Sequence, residues 1–201
     1  VWGQVSSVPH ACTEHGAAWL NGRLWVVGGF DGHQTLDLVH VWRGLGGSAG
    51  GRKGAWERGA PLPVSRSGHV VVELGGKLYV IGGTTTSERS FAAGWRAGGV
   101  VHLADVCVWD ESVGVWAPGV PMQRGRYRFA ATVVEGRIYA LGGIADEGVT
   151  ASVESWAPGE DAWHVEPDLP APRFGHRALC LAGRLYVMGG VRKLQEQVCT
   201  R

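Results

Sequence analysis

The chain has 201 residues, 45% of them hydrophobic, enough for one sizeable core and a single domain. Nineteen basic residues against 18 acidic ones leave a formal charge of +1, so neither nucleic acid nor an anionic membrane is expected as a partner. No apolar run of roughly 18 residues is present to span a bilayer, and no charged segment followed by an apolar core opens the chain as a signal peptide would.

The 33 glycines and 10 tryptophans far exceed ordinary usage and suit a turn-dense all-β repeat better than a helical domain. The repeat is explicit. Trp2 leads to Gly28-Gly29, Trp56 to Gly82-Gly83, Trp116 to Gly142-Gly143 and Trp163 to Gly189-Gly190, each first Gly standing 26 residues after its Trp. The first landmark, Trp2, is already the end of a unit and the chain starts at Val1 without a Met, so a piece of a longer protein is expected.

Within each unit the pattern predicts four short strands, a to d. Asn21-Gly22, Gly75-Gly76, Glu135-Gly136 and Ala182-Gly183 each separate two apolar runs, the signature of a two-residue hairpin in which Gly takes a positive φ. Gly68–Leu74 and Lys77–Gly82 are thus expected as antiparallel strands a and b, likewise in the other copies, and their near-continuous apolar character predicts cover on both faces. The Gly pair lets another backbone approach closely. Strand c ends in Trp (Leu38–Trp42, Val106–Trp109, Val153–Trp156), and strand d opens on Trp56, Trp116 or Trp163 and runs out at Pro61–Pro63, Pro118–Pro121 or Pro167–Pro172. Four short strands repeated every 47 to 60 residues describe a propeller blade.

Length variation is confined to two loops, a 13-residue insertion between strands b and c within Thr84–His102 and a 7-residue insertion between c and d within Arg43–Ala55. In an up-and-down blade the d–a and b–c loops emerge on one face and the a–b and c–d loops on the other. Phe91, Trp95 and Arg96 therefore share a face with the d–a segments, while the Gly-rich basic loop Gly44–Gly54 is expected on the opposite face as a solvated linker. The four cysteines show no C-x-x-C spacing. Cys107 and Cys180 lie in apolar runs and are expected as buried, reduced thiols, as in a cytoplasmic protein.

The Gly pair, the spaced Tyr and Trp, and the Arg that precedes strand a resemble the kelch repeat, and Gly142–Gly190 is similar to units of the BTB–kelch family. The resemblance covers about Trp2 to Gly190 and implies an all-β, kelch-type β-propeller of four-stranded antiparallel blades. It assigns 1–9 to strand d of a preceding blade, 10–63, 64–121 and 122–170 to blades, 171–190 to the start of a last one, and 191–201 to a tail with room for a further strand. Six blades are common in that family, so a partial propeller of about four blades' worth is expected; closure as four blades, with Trp2 completing the last, is the alternative. Two positions depart from the pattern: Cys12 stands where the other units have Arg66, Arg126 and Arg173, and Phe129 where they have His15, His69 and His176.

The repeated arginines are expected to brace each blade by bonding backbone or carboxylate groups, and the repeated histidines to pack rather than converge on a metal. Positions that differ between blades are the sharper binding candidates. One and two residues after the repeated Arg come Thr13 and Glu14, Ser67 and Gly68, Tyr127 and Arg128, Phe174 and Gly175. The BTB–kelch resemblance implies that d–a segments and b–c loops build the substrate-binding face, which implicates Ser67, Tyr127, Arg128 and Phe174 with Phe91, Trp95 and Arg96. No G-x-S-x-G, H-E-x-x-H or P-loop spacing is present, and Asp31, Asp37, Asp105 and Glu154 look like loop caps rather than acid–base pairs. The expected function is a non-enzymatic protein-binding module without cofactor. The resemblance further implies a substrate adaptor of a cullin-based ubiquitin ligase, whose cullin contacts would lie in domains outside this chain. An actin-bridging scaffold and a metal-dependent kelch enzyme are the alternatives.

Overall fold

The computed structural model describes residues 6–44, 54–86 and 100–193, and the regular structure of these residues is all β. The first blade is an antiparallel sheet of β1 (Gly16–Leu20), β2 (Arg23–Val27), β3 (Val39–Arg43) and β4 (Ala55–Arg58). The second runs β5 (Val70–Leu74) and β6 (Lys77–Ile81), then a small ladder β7 (Thr84–Thr85) with β8 (Val101–His102), then β9 (Val106–Asp110) and β10 (Val115–Pro118). The third has the same plan: β11 (Ala130–Val134), β12 (Arg137–Leu141), a ladder β13 (Ile144–Ala145) with β14 (Gly148–Val149), then β15 (Val153–Trp156) and β16 (His164–Glu166). A hairpin of β17 (Arg177–Leu181) and β18 (Arg184–Met188) begins a fourth. Strand order a–b–c–d follows the sequence reading; the two loop ladders do not appear in it. Trp2, most of the Gly44–Gly54 loop, Phe91, Trp95, Arg96 and Cys199 lie outside the described residues.

The a–b hairpins close as two-residue turns with both central residues at positive φ, 47° and 74° at Asn21-Gly22 and 48° and 76° at Glu135-Gly136. The a strands lie innermost and side by side, β1 beside β5, β5 beside β11, β11 beside β17. The Gly pair makes each seam. The amide of its second Gly donates to the carbonyl of the next blade's repeated Arg position, Gly29 to Arg66, Gly83 to Arg126 and Gly143 to Arg173, all at 2.8 Å. No side chain fits at the first Gly, because a Cβ at Gly142 (φ 58°) would fall 2.6 Å from the Arg173 carbonyl oxygen.

Side chains fill the seams. Leu20, Trp25 and Val27 of the first blade bury against Val71, Leu78, Val80 and Trp109 of the second. Tyr79 and Ile81 of the second meet Ile138, Ala140 and Trp156 of the third. Each strand-d Trp also reaches back one blade, Trp116 Nε1 donating to the Ala60 carbonyl at 2.9 Å and Trp163 Nε1 to that of Val120 at 2.8 Å.

The repeated arginines brace their own blades. Arg66, fully buried, donates to the Gly82 carbonyl at 3.0 Å and to Asp105 at 2.6 Å; Arg126, equally buried, donates to Gly142 O, Ser152 O and, at 2.6 Å, to Glu154. Asp105 is thus an anchor for a guanidinium rather than a loop cap, Glu154 is both, its other oxygen accepting from the Gln123 amide at 2.6 Å, and Asp31 caps its loop by accepting from the amides of His33 and Gln34 at 2.8 Å. His69 is buried against the first blade, where a Cβ on Gly28 would come within 2.7 Å of its ring. Burial holds its pKa down at about 3, and the same cause puts that of His176 at about 4. Phe129 fills the same place in the middle seam, over Gly82.

The terminal hairpin corrects the expectation that strands a and b are covered on both faces in every copy. Leu179, Leu181, Tyr186 and Met188 are exposed on one face, and Cys180 is half-buried rather than buried like Cys107. At the other end Trp19 is 59% exposed. Both ends of the described arc thus present uncovered sheet faces.

The two braces differ in the burial of their carboxylates and should differ in worth. Arg126→Met strands a buried carboxylate and should cost about 3–5 kcal/mol in urea unfolding, with Glu154→Gln restoring part of the loss in the double variant. Asp105 is 44% exposed but faces the fully buried Arg66, and Asn keeps an acceptor oxygen without the charge, so Asp105→Asn should cost less than Arg126→Met, about 1–3 kcal/mol. Because His69 stays neutral in the fold, the unfolded chain takes up a proton that the native state refuses as pH falls below the usual imidazole value of 6.5. Its contribution, whole above pH 6.5, is lost progressively down to about pH 3. His69→Phe, which copies the ring that Phe129 places in the middle seam, should flatten the fall in melting temperature between neutral and mildly acidic pH.

Candidate functional site

The d–a segments share one backbone device. Thr13, Ser67, Tyr127 and Phe174 each exchange two backbone hydrogen bonds with the residue after their own blade's Gly pair, at 2.8–3.0 Å with Phe30, Thr84, Ile144 and Val191 respectively. The next residues, Glu14, Gly68, Arg128 and Gly175, all hold positive φ (53°, 62°, 50° and 65°). They bond in series: the Gly68 amide donates to Glu14 O at 2.9 Å, that of Arg128 to Gly68 O at 2.8 Å, and that of Gly175 to Arg128 O at 2.7 Å. A continuous hydrogen-bonded rail thus crosses four blades beside the b–c loops. Two of its left-handed positions carry charged side chains at an energetic cost, an arrangement that clusters at functional sites.

Those two side chains meet. The Arg128 Nε donates to Glu14 Oε1 at 2.8 Å and its Nη2 bonds the same oxygen, joining the third blade to the first. The pair passes over Gly68, where a Cβ would stand 3.3 Å from both the Arg128 amide and the Tyr127 ring. The guanidinium lies 5.9 Å from the Tyr127 ring centroid. His102, at the foot of the long b–c loop, packs on the same ring with centroids 4.9 Å apart, and its Nδ1 is 2.9 Å from Asp146 in the next b–c loop. Arg124 and Glu147 pair nearby at 2.7 Å. Beneath the rail, the inner strands line an open cleft of about 620 Å³ whose lining includes Glu14, His69, Arg128 and His176.

Of the candidates named from the sequence, Tyr127 and Phe174 are half-buried at this face and Arg128 is exposed. Ser67 is 3% exposed, so its side chain is withdrawn from any partner, a correction that follows from its place in the Thr84 ladder. Phe91, Trp95 and Arg96 lie outside the described residues; the ladder beneath their loop is held by hydroxyls, with Ser65 Oγ 2.9 Å from Thr35 and 3.3 Å from Thr85. His102 and Asp146 join the site without having been singled out, and Glu14, which stood among the variable positions after the repeated Arg, joins it although it was not implicated in binding. Glu14 was findable, since it stands at the same repeat position as Arg128 with the opposite charge. Among the described residues no group of three or more His, Cys, Asp or Glu is disposed to hold a metal ion, and no helix is long and apolar enough to cross a membrane.

The family model described as the Kelch motif matches residues 11–43 and 125–170. Kelch-like protein 40 of Mus musculus is 30% identical over 87% of this chain and 25% of its own length. Kelch-like protein 33 of Homo sapiens is 34% identical over 67% of this chain and 24% of its own. The human Kelch repeat and BTB domain-containing protein 12 is 33% identical over 67% and 23%. The chain thus spans about a quarter of these relatives. In fold it matches the solved structure of YjhT with a TM-score of 0.76 at 19% identity, over 94% of this chain and 63% of that one. The braced arginines, the seam-making Gly pairs and these likenesses identify the chain as a kelch-repeat β-propeller protein similar to the Kelch-like and BTB–kelch proteins.

Proposed function

We propose that this propeller binds a peptide segment of another protein on the face formed by the d–a segments and b–c loops, and performs no chemistry of its own. The observation that supports this most directly is the rail. It holds Tyr127, Arg128 and Phe174, which differ from blade to blade, on a backbone fixed by hydrogen bonds on both sides. Aromatic and Arg side chains on a rigid support are the anchors that dominate protein interfaces. The long b–c loop carrying Phe91, Trp95 and Arg96 adds to the same face by its place in the chain.

The likeness to Kelch-like proteins and to a Kelch repeat and BTB domain-containing protein supports a further step. In this reading the propeller is the substrate-recruiting part of a cytoplasmic adaptor for a cullin-based ubiquitin ligase, and the cullin is contacted by domains outside this chain. Neither cofactor, nucleic acid nor membrane is required.

Affinity purification of the full-length protein beside a Tyr127→Ala/Arg128→Ala variant tests both steps by mass spectrometry. Cullin and ligase components together with a target that the variant loses by about tenfold or more are expected. A target retained by the variant would place binding elsewhere. Actin-network proteins recovered without any cullin would replace the adaptor by a cytoskeletal scaffold.

A further inference from the structure

Arg128 already holds a carboxylate, and it is the chain's own. Glu14 of the first blade accepts from Arg128 Nε at 2.8 Å and from Nη2 of the same guanidinium, both bonds falling on the single oxygen Oε1. Arg128 Nη1 and Glu14 Oε2 have no hydrogen-bond partner among the described residues. A guanidinium is a planar fork that suits a carboxylate, so the bridge shows which chemistry this position takes.

The two members are not equally held. The guanidinium lies 5.9 Å from the Tyr127 ring centroid, and His102 packs on that ring with centroids 4.9 Å apart. The Glu14 carboxylate has no partner besides Arg128 among the described residues. Arg128 is also the more open of the two, its side chain 44% exposed against 28% for Glu14. The cation is therefore the supported group and the carboxylate the movable one. At this exposure an ion pair biases an equilibrium by only about two- to fivefold, so a competing carboxylate can displace Glu14 at small cost.

The rail does not need the bridge. It is built from main-chain groups alone, the Glu14 carbonyl and the Arg128 amide and carbonyl, and at Gly68 and Gly175 it runs with no side chain at all. The bridge instead crosses the mouth of the cleft, whose lining includes both residues. That lining holds two guanidinium groups, Arg128 and Arg177, against the one carboxylate of Glu14, while burial keeps His69 and His176 neutral. An anionic group is the complement of such a cleft.

We propose that the Glu14–Arg128 bridge is an internal latch: Glu14 stands in for a carboxylate of the bound peptide, which takes its place on Arg128 while Glu14 turns to solvent. This rests on the binding face proposed above and adds both the charge of the ligand and a restraint on it. A neutral or basic segment that crosses the mouth breaks the bridge and leaves Arg128 unpaired, whereas an acidic one returns to Arg128 what it removes. The latch thus selects against segments without a carboxylate, a discrimination made by an existing contact that the wrong ligand cannot replace.

The test probes the full-length protein with an array of random decapeptides, made once with amidated and once with free C-termini, and measures the strongest binders by fluorescence anisotropy. Bound peptides are expected to be rich in Asp or Glu if a side chain supplies the carboxylate, or to come only from the free-ended set if the chain terminus does. Glu14→Gln should tighten their binding by about two- to fivefold and Arg128→Gln should weaken it by about tenfold or more. The opposite signs are the signature, since removing either half of a mere brace acts in one direction. Should Arg128→Gln lower the melting temperature, the sign of the Glu14→Gln effect decides alone. Unchanged or weaker binding by Glu14→Gln overturns the latch and leaves the face in place, as does enrichment in Lys or Arg without any acid. Peptides indifferent to both Arg128→Gln and Tyr127→Ala, or an array on which nothing binds, overturn the face itself and the latch with it.

Discussion

The backbone bond from the second Gly of each pair to the Arg carbonyl of the next blade sets the spacing of everything else. At 2.8 Å in three seams it brings neighbouring chains so close that the first Gly has no room for a side chain, as at Gly142. Fixing that approach fixes which apolar rows face each other, and the rows then supply the burial that stabilises the arc. It also aligns the d–a segments, since the Arg whose carbonyl accepts the bond lies two residues before the rail. The same Arg turns its guanidinium inward to the end of strand b, so one residue joins its blade to the preceding one through its backbone and holds its own blade together through its side chain.

Much of this was legible because it repeats. The 26-residue Trp-to-Gly spacing and the X-Gly turns located strands a and b to within a residue or two, and the recurrent Arg before strand a announced a bracing role. What could not be read depends on residues that do not repeat. Asp105 stands four residues before Trp109 and Glu154 two before Trp156, so the carboxylates that serve Arg66 and Arg126 occupy different places in their blades. Glu14 and Arg128 are 114 positions apart and meet only because three blades curve past Gly68. Ser67 looked accessible as a loop residue, yet its loop is zipped to Thr84.

Seam chemistry is not uniform, and the difference is visible at one position. His69 and His176 fill their seams as neutral rings, whereas Phe129 fills the middle one without any group to titrate. A ring of similar shape occupies each seam because the space is bounded by glycines, Gly28, Gly82 and Gly142, which leave room for a flat side chain.

The small ladder of Thr84–Thr85 with Val101–His102 has a consequence for how such a protein diversifies. By fastening both ends of the 13-residue insertion before it leaves the blade, the ladder turns a length change in the loop into a local matter, since closing a loop of twice the length costs only about 0.6 kcal/mol more. The segment above that clasp is then free to vary in both length and composition while the seams below keep their register. Length can change here where it cannot in the strands beneath.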